Sequence, residues 1–115
     1  MSLQALEEHI QGEDLESMMQ NARKATGLLK ALAHEGRLMI LCFLATGEKS
    51  VSELEQLLQS RQAAVSQQLT RLRLEGLVDY RREGKAIYYR ISDDRAGRML
   101  ELLYEMYCAP DAADR

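Results

Sequence analysis

Gln62, Ala63, Ser66, Gln67, Thr70 and Arg71 fall on one side of a helical repeat, and the chemistry they offer is hydrogen bonding rather than bond breaking. Amide side chains can pair bidentately with adenine and guanidinium groups with guanine, while small residues let a helix approach closely, so this face suits the DNA major groove. Further on, Arg81, Arg82, Lys85 and Arg90 gather in a short stretch that could carry positive charge to phosphates. The other reactive side chains are two cysteines, Cys42 and Cys108, and two histidines, His9 and His34. There is no Cys-x-x-Cys, no Gly-rich cofactor loop and no Ser/His/acid constellation, which argues against a redox enzyme or sulfur carrier and for a protein that is not an enzyme. His34, in LAHEGRL at a helix start, reads as a capping or core-edge residue. An isolated Cys42 in an apolar helix reads as a small core hydrophobe. Cys108, beside Tyr107 and Pro110 just past a helix end, is explained less well by packing.

These side chains need elements to hold them. Ser52, followed three residues later by Glu55, predicts a capping box opening a short helix, with Leu54, Leu57 and Leu58 on one face. Ser60 is expected to cap a second helix, in which Val65, Leu69 and Leu72 recur at the spacing of a buried stripe. A tight helix pair whose second member carries an amide-rich, basic outer face reads as a helix-turn-helix over about 52–75. Val78 to Arg82 and Ala86 to Ile91 are rich in β-branched and aromatic residues, and Glu83-Gly84-Lys85 supplies a turn, so a hairpin follows over about 78–91 and reads as a wing.

Upstream, the first dozen residues are mixed and contain Gly12, predicting fraying or at most a short helix. A helix over about 13–33 carries the apolar stripe Met18, Met19, Ala22, Ala25, Leu28, Leu29 and Leu32. The next, over about 35–45, is apolar nearly all round through Leu38, Ile40, Leu41, Cys42 and Leu44, and should be the central core helix, ended by Thr46-Gly47. Ser92 or Asp93 can cap a last helix over about 93–108, whose apolar residues are Met99, Leu100, Leu102, Leu103, Met106 and Tyr107. The expected fold is mainly α with a β-hairpin wing, a winged helix-turn-helix forming a single domain over 1–115.

A net charge of -3 is unusual for a DNA binder, so its distribution matters. The first 22 residues hold five acids and no Lys or Arg, whereas residues 61–90 hold seven bases against three acids. Such a local excess, doubled in a dimer, can release counterions from a duplex, while the acidic body disfavours indiscriminate binding. The two outer helices carry more apolar surface than so small a domain can cover, predicting a C2 homodimer with two reading helices about one duplex turn apart on an inverted-repeat operator. The longest apolar run, Leu38 to Ala45, is too short to span a bilayer and no signal-like N-terminus is present, so a soluble cytoplasmic protein is expected.

The segments LLKALAHEGRLMILCFL (28–44), SVSELEQLLQSRQAAVSQQLTRLRLEGLV (50–78) and YRREGKAIYYRI (80–91) resemble the ArsR/SmtB family of bacterial dimeric winged-helix repressors. The resemblance implies a repressor that leaves its operator when an inducer binds or modifies it. The outward face of the second helix is expected to supply groove or near-groove contacts from Gln62, Ser66, Gln67 and Arg71, and the wing phosphate or minor-groove contacts from Arg81, Arg82 and Lys85. Gln67-Gln68 departs from the Gln-His common in relatives, so no base preference is carried over. Many relatives sense metals, but Ser50 and Ser52 stand where one family site has thiols, and the last helix offers Asp93, Asp94, Glu101 and Glu105 without a His. Soft or borderline metals want several thiolate or imidazole ligands, so neither metal nor cofactor is expected. The contexts LMILCFL and LYEMYCA resemble the branch that senses reactive sulfur species. That implies Cys42 and Cys108 as a sensing pair, which persulfide or polysulfide links through a disulfide or a longer sulfur bridge, lowering DNA affinity. Arg23, Lys24 and Tyr107 are the neighbours considered for activating the thiols. Alternatives are a general thiol-oxidation sensor, a haem- or metal-responsive repressor, and, away from DNA, a sulfur carrier or a protein-interaction winged helix.

Overall fold

The computed structural model describes residues 2–110. Of the two expectations for the N-terminus the short helix holds: α1 (Leu3–Gly12) is capped by Ser2, whose Oγ accepts from Ala5 N at 3.1 Å, and it buries nothing. In α2 (Leu15–Leu32), Asp14 is the cap and accepts from Ser17 N at 2.8 Å. His34 starts α3 (Glu35–Leu44) as a cap, its Nδ1 accepting from the amides of Gly36 and Arg37 at 3.1 and 3.4 Å.

A two-residue strand, β1 (Lys49–Ser50), leads directly into α4 (Val51–Leu58). The capping box is there, but on Ser50 and Glu53 rather than Ser52 and Glu55: Ser50 Oγ accepts from Glu53 N at 3.1 Å, and the Glu53 carboxylate accepts from Ser50 N at 3.0 Å. Both pairs have the same spacing. The strand decides between them, because pairing of Ser50 with Tyr88 holds Ser50 extended (φ -78°, ψ 162°) and places the first helical residue at Val51.

Ser60 is not the cap of α5 (Gln62–Leu74); that position belongs to Arg61, which makes no side-chain cap bond. Ser60 instead finishes α4, its amide donating to the Glu55 carbonyl at 3.1 Å after Gln59 has turned through the left-handed region at φ 52°. This is the hydrogen-bonded turn that closes a helix with a left-handed residue, and it commits to α4 the residue expected to open the next helix.

Strands β2 (Val78–Glu83) and β3 (Ala86–Ile91) form the wing, in register from Val78↔Ile91 to Glu83↔Ala86. Only Gly84 and Lys85 turn the corner, with Gly84 at φ +61°, where a Cβ would be strained. All pairs are antiparallel and the strand order is β1-β3-β2. The last helix, α6 (Asp94–Tyr107), is capped by Asp93, which accepts from Arg95 N at 2.8 Å. The molecule is thus mainly helical with a small winged sheet.

The core follows the expected stripes: Ile40, Leu41 and Leu44 of α3, Leu54 of α4, and Val65, Leu69 and Leu72 of α5 are buried, closed by Leu77, Val78, Ala96 and Leu100. Although α3 is apolar nearly all round, it is not buried all round. Met39 is exposed, and so is Cys42, which corrects its reading as a core hydrophobe. Within one chain, α2 and α6 leave Met19, Leu29, Leu102 and Tyr107 between 46% and 75% exposed. No helix among the described residues is long and apolar enough to cross a membrane.

Loss of an N-cap costs about 1 kcal/mol. Urea unfolding should show Ser50→Ala destabilised by roughly that amount, with Ser52→Ala and Ser60→Ala within a few tenths of a kcal/mol of the parent.

Candidate nucleic-acid interface and thiol pair

Burying Val65, Leu69 and Leu72 against α3 and α4 turns the other side of α5 outward. There Ala63, Ala64, Ser66, Gln67 and Thr70, with Arg61 at the helix start, line a shallow concavity. Gln67 is exposed, Ser66 is half-buried, and Thr70 folds its hydroxyl back onto the Ser66 carbonyl at 2.9 Å. Gln62 opens the helix; its side chain lies outside the described part of the structure. Arg71 is exposed but leans on Glu75 at 3.4 Å, one turn on. Sequence reading counted Arg61 only as a charge, yet it borders the same concavity as Ser66 and Gln67, beside the positive end of the helix dipole.

The wing is less uniformly cationic than its composition. Arg81 grips Glu48, with Nε and Nη2 donating to its carboxylate at 2.7 to 3.1 Å, and Nη1 donates to Glu83 at 2.7 Å while the guanidinium lies 4.7 Å from the Tyr88 ring centre. It ties the wing to the loop after α3. Arg90 faces Asp79 across the hairpin at 3.9 Å. Arg82 and Lys85 are exposed and make no ion pair among the described residues, so the uncommitted positive charge sits at the tip. A second strut is Arg73, whose guanidinium stacks 4.4 Å from the Tyr80 ring centre while Tyr80 packs on Tyr89 at 5.6 Å. Burial pushes the Tyr89 hydroxyl up, so it stays protonated. Sequence reading missed Glu48 and Arg73 as wing supports; their signal was only the abundance of charge and tyrosine on the hairpin.

Cys42 and Cys108 are free thiols on the surface, one on the outer face of α3 and the other at the C-cap of α6. Partial burial pushes the Cys42 thiol up, and negative charge at Cys108 raises it further. Two cysteines remote in sequence are therefore close enough to feel each other's ionisation. The cleft beside Cys42 is bordered by Glu48, Arg90, Glu101 and Tyr104. Arg23 and Lys24 line a separate cleft with Glu75, Leu77 and Arg95, and the cation that borders the Cys42 cleft is Arg90.

Its hydrogen bonds to Arg81 hold the Glu48 carboxyl below the usual carboxylate range. A carboxyl depressed by folding contributes its stabilisation above its unfolded pKa and loses it as pH falls through the lower folded value, so the brace is intact at neutral pH and opens only in acid. Replacing Arg81 by Ala should return the Glu48 titration, followed by carboxyl carbon NMR, to the ordinary range; an unchanged midpoint would remove the brace.

Comparison with known proteins bears on these surfaces together. Residues 34–80 match the model for the bacterial regulatory protein arsR family. The biofilm growth-associated repressor of Agrobacterium fabrum is 52% identical over 97 residues, covering 84% of this chain and 83% of that one. Among solved structures, reduced HlyU from Vibrio cholerae superposes with a TM-score of 0.79 at 46% identity, covering 82% of this chain and 99% of the other. A homodimeric winged helix-turn-helix DNA-binding domain from Mycobacterium bovis superposes with a TM-score of 0.73 at 30% identity, covering 90% and 93%. The outward face of α5, the braced wing and these matches over most of the chain agree: this protein belongs to the ArsR family of bacterial regulatory proteins, DNA-binding transcriptional regulators rather than enzymes.

Proposed function

We propose that the protein is a dithiol repressor: reduced, it binds an inverted-repeat operator as a homodimer, and persulfide or polysulfide releases it by linking Cys42 to Cys108. The observation that carries this reading is a pair of exposed free thiols, one on the core helix and one at the end of an outer helix, with negative charge at Cys108 raising the Cys42 thiol. Stable disulfides are rare in reducing compartments, where a linkable surface pair serves transient chemistry. The repressor name of the Agrobacterium relative and the solution of HlyU in a reduced form support the same reading.

The chemistry balances without a cofactor. One cysteine thiolate attacks the sulfane sulfur of a persulfide, forming a cysteine persulfide and expelling the donor's thiolate. The second thiolate then attacks the inner sulfur, expels hydrosulfide and leaves a disulfide; two thiols are oxidised and one sulfane sulfur is reduced to sulfide. If the second cysteine is persulfidated first, its terminal sulfur makes the attack and the bridge keeps an extra sulfur. Rates follow the thiolate fraction and access, and partial burial lowers the fraction of Cys42 present as thiolate.

In this reading Ser66, Gln67, Gln62 and Arg71 meet the groove edge, while Arg82, Lys85 and Arg61 carry charge to phosphates. Arg81 holds the wing at its angle and reaches DNA only through the elements it braces. The bare apolar residues of α2 and α6 form the dimer seam, as the homodimeric Mycobacterium bovis domain supports. A bridge between α3 and α6 would then tie the core helix to the seam and change the spacing of the two reading heads.

Fluorescence anisotropy on an operator selected with the reduced protein tests this. Polysulfide should release the parent and leave Cys42→Ser and Cys108→Ser bound; release of either variant sinks the dithiol mechanism, and equal release by hydrogen peroxide makes the protein a general thiol sensor. Arg82→Ala with Lys85→Ala, which removes two cations from each protomer of the dimer, should weaken binding about uniformly across sequences and reduce the salt slope by roughly 4.

A further inference from the structure

Arg37 stands in the first turn of α3, half-buried, and touches three helices at once. Its Nε donates to the Ala31 carbonyl at 2.7 Å and its Nη2 to the Lys30 carbonyl at 2.9 Å, both in the last turn of α2. Its Nη1 reaches Gln68 Oε1, on the flank of α5, at 3.4 Å. The last carbonyls of a helix have no intrahelical partner and carry the negative end of its dipole, so a cation belongs there. Only a guanidinium, with donors fixed in a planar fork, can serve those carbonyls and an amide on another helix together; an ammonium on a flexible stem holds no such angle.

Gln68 has a second polar neighbour. The His34 ring, fixed by its capping bonds at Nδ1, brings Nε2 to 3.5 Å from the Gln68 amide nitrogen. Gln67 next to it points outward, so adjacent amides on α5 have separate duties: one faces the concavity and the other is held by Arg37. Arg37 supplies a hydrogen-bonded path from α2 to α5, and α3, whose first turn carries it, ends in the turn that carries Cys42.

We propose that Arg37 and Gln68 are positioning residues for DNA binding: by pinning the end of α2 to α5, they set the angle of each reading helix to the dimer seam and hence the half-site spacing the dimer accepts. This rests on the reading of α2 as a seam helix and α5 as the groove helix. Neither residue need touch DNA.

The test measures binding of the reduced parent, Arg37→Lys, Gln68→Leu and the double variant to the selected operator and to versions with the half-site spacing lengthened or shortened by one base pair. Dimerisation and thermal melting are followed alongside. The parent should prefer its own spacing. Each single variant should lose about tenfold on that operator and little on the altered ones, a coupling of the size usual between sites. The double variant should be no worse than either single one, because both break one path. The salt slope should not change, since no phosphate contact is lost, and Gln68→Glu, which keeps an acceptor for Arg37, should retain the preference. Unaltered spacing preference in both single variants would overturn the proposal, as would equal loss on every spacing together with lower melting, which marks a purely structural residue. A parent protein that is monomeric or indifferent to spacing would instead sink the dimer reading on which the proposal stands.

Discussion

Everything this protein could present to DNA hangs on the apolar seam where α3 packs against α4 and α5. Ile40, Leu41 and Leu44 share one buried cluster with Leu54, Val65, Leu69 and Leu72, and each of those side chains is at most 4% exposed. Burial of that kind, worth roughly 1.5–3 kcal/mol per large aliphatic side chain, is the strongest ordering force in so small a domain. It rotates α5 so that Ser66 and Gln67 face outward, and it seats the helix that carries Arg37 at one end and Cys42 at the other. The thiol and the groove face are therefore two sides of one packing arrangement.

Polar interactions refine what the core has placed. Three arginines act as struts: Arg37 between α2, α3 and α5, Arg73 under Tyr80, and Arg81 between the wing and Glu48. Isolated exposed ion pairs contribute little to stability, so the consequence of these contacts is geometric. The Arg81 fork fixes the wing relative to the loop after α3. The cost is charge: arginines spent on carboxylates leave Arg82, Lys85 and Arg61 as the unpaired cations of this surface among the described residues. A chain of net charge -3 thereby concentrates a small positive potential where a duplex would meet it.

Periodicity made most of the architecture legible. The stripe Val65, Leu69, Leu72 located α5 and its outward face, and the β-branched and aromatic residues on either side of Gly84 located the wing. What periodicity could not settle were choices between locally equivalent options. Ser50-x-x-Glu53 and Ser52-x-x-Glu55 are the same signal, and only the pairing of Ser50 with Tyr88, far along the chain, selects the first. Likewise Ser60 is as good a cap by composition as any residue, but the left-handed turn at Gln59 commits its amide to α4.

The sequence by itself determined the fold class, the order of the main helices and the wing, the outward face of α5 and the family, because these depend on the spacing of apolar residues and on contiguous motifs; the two-residue strand β1 was not among them. Tertiary structure alone decided which charges are available and which thiols are exposed. Arg81 and Arg82 are neighbours of one type, yet one is spent on Glu48 and the other is not, since an ion pair depends on what the fold brings across from a remote loop. Cys42 sits in an apolar run and still lies on the surface, close enough to Cys108 to feel its charge, because burial is set by which face the neighbouring helices cover and not by the residues alongside in the chain.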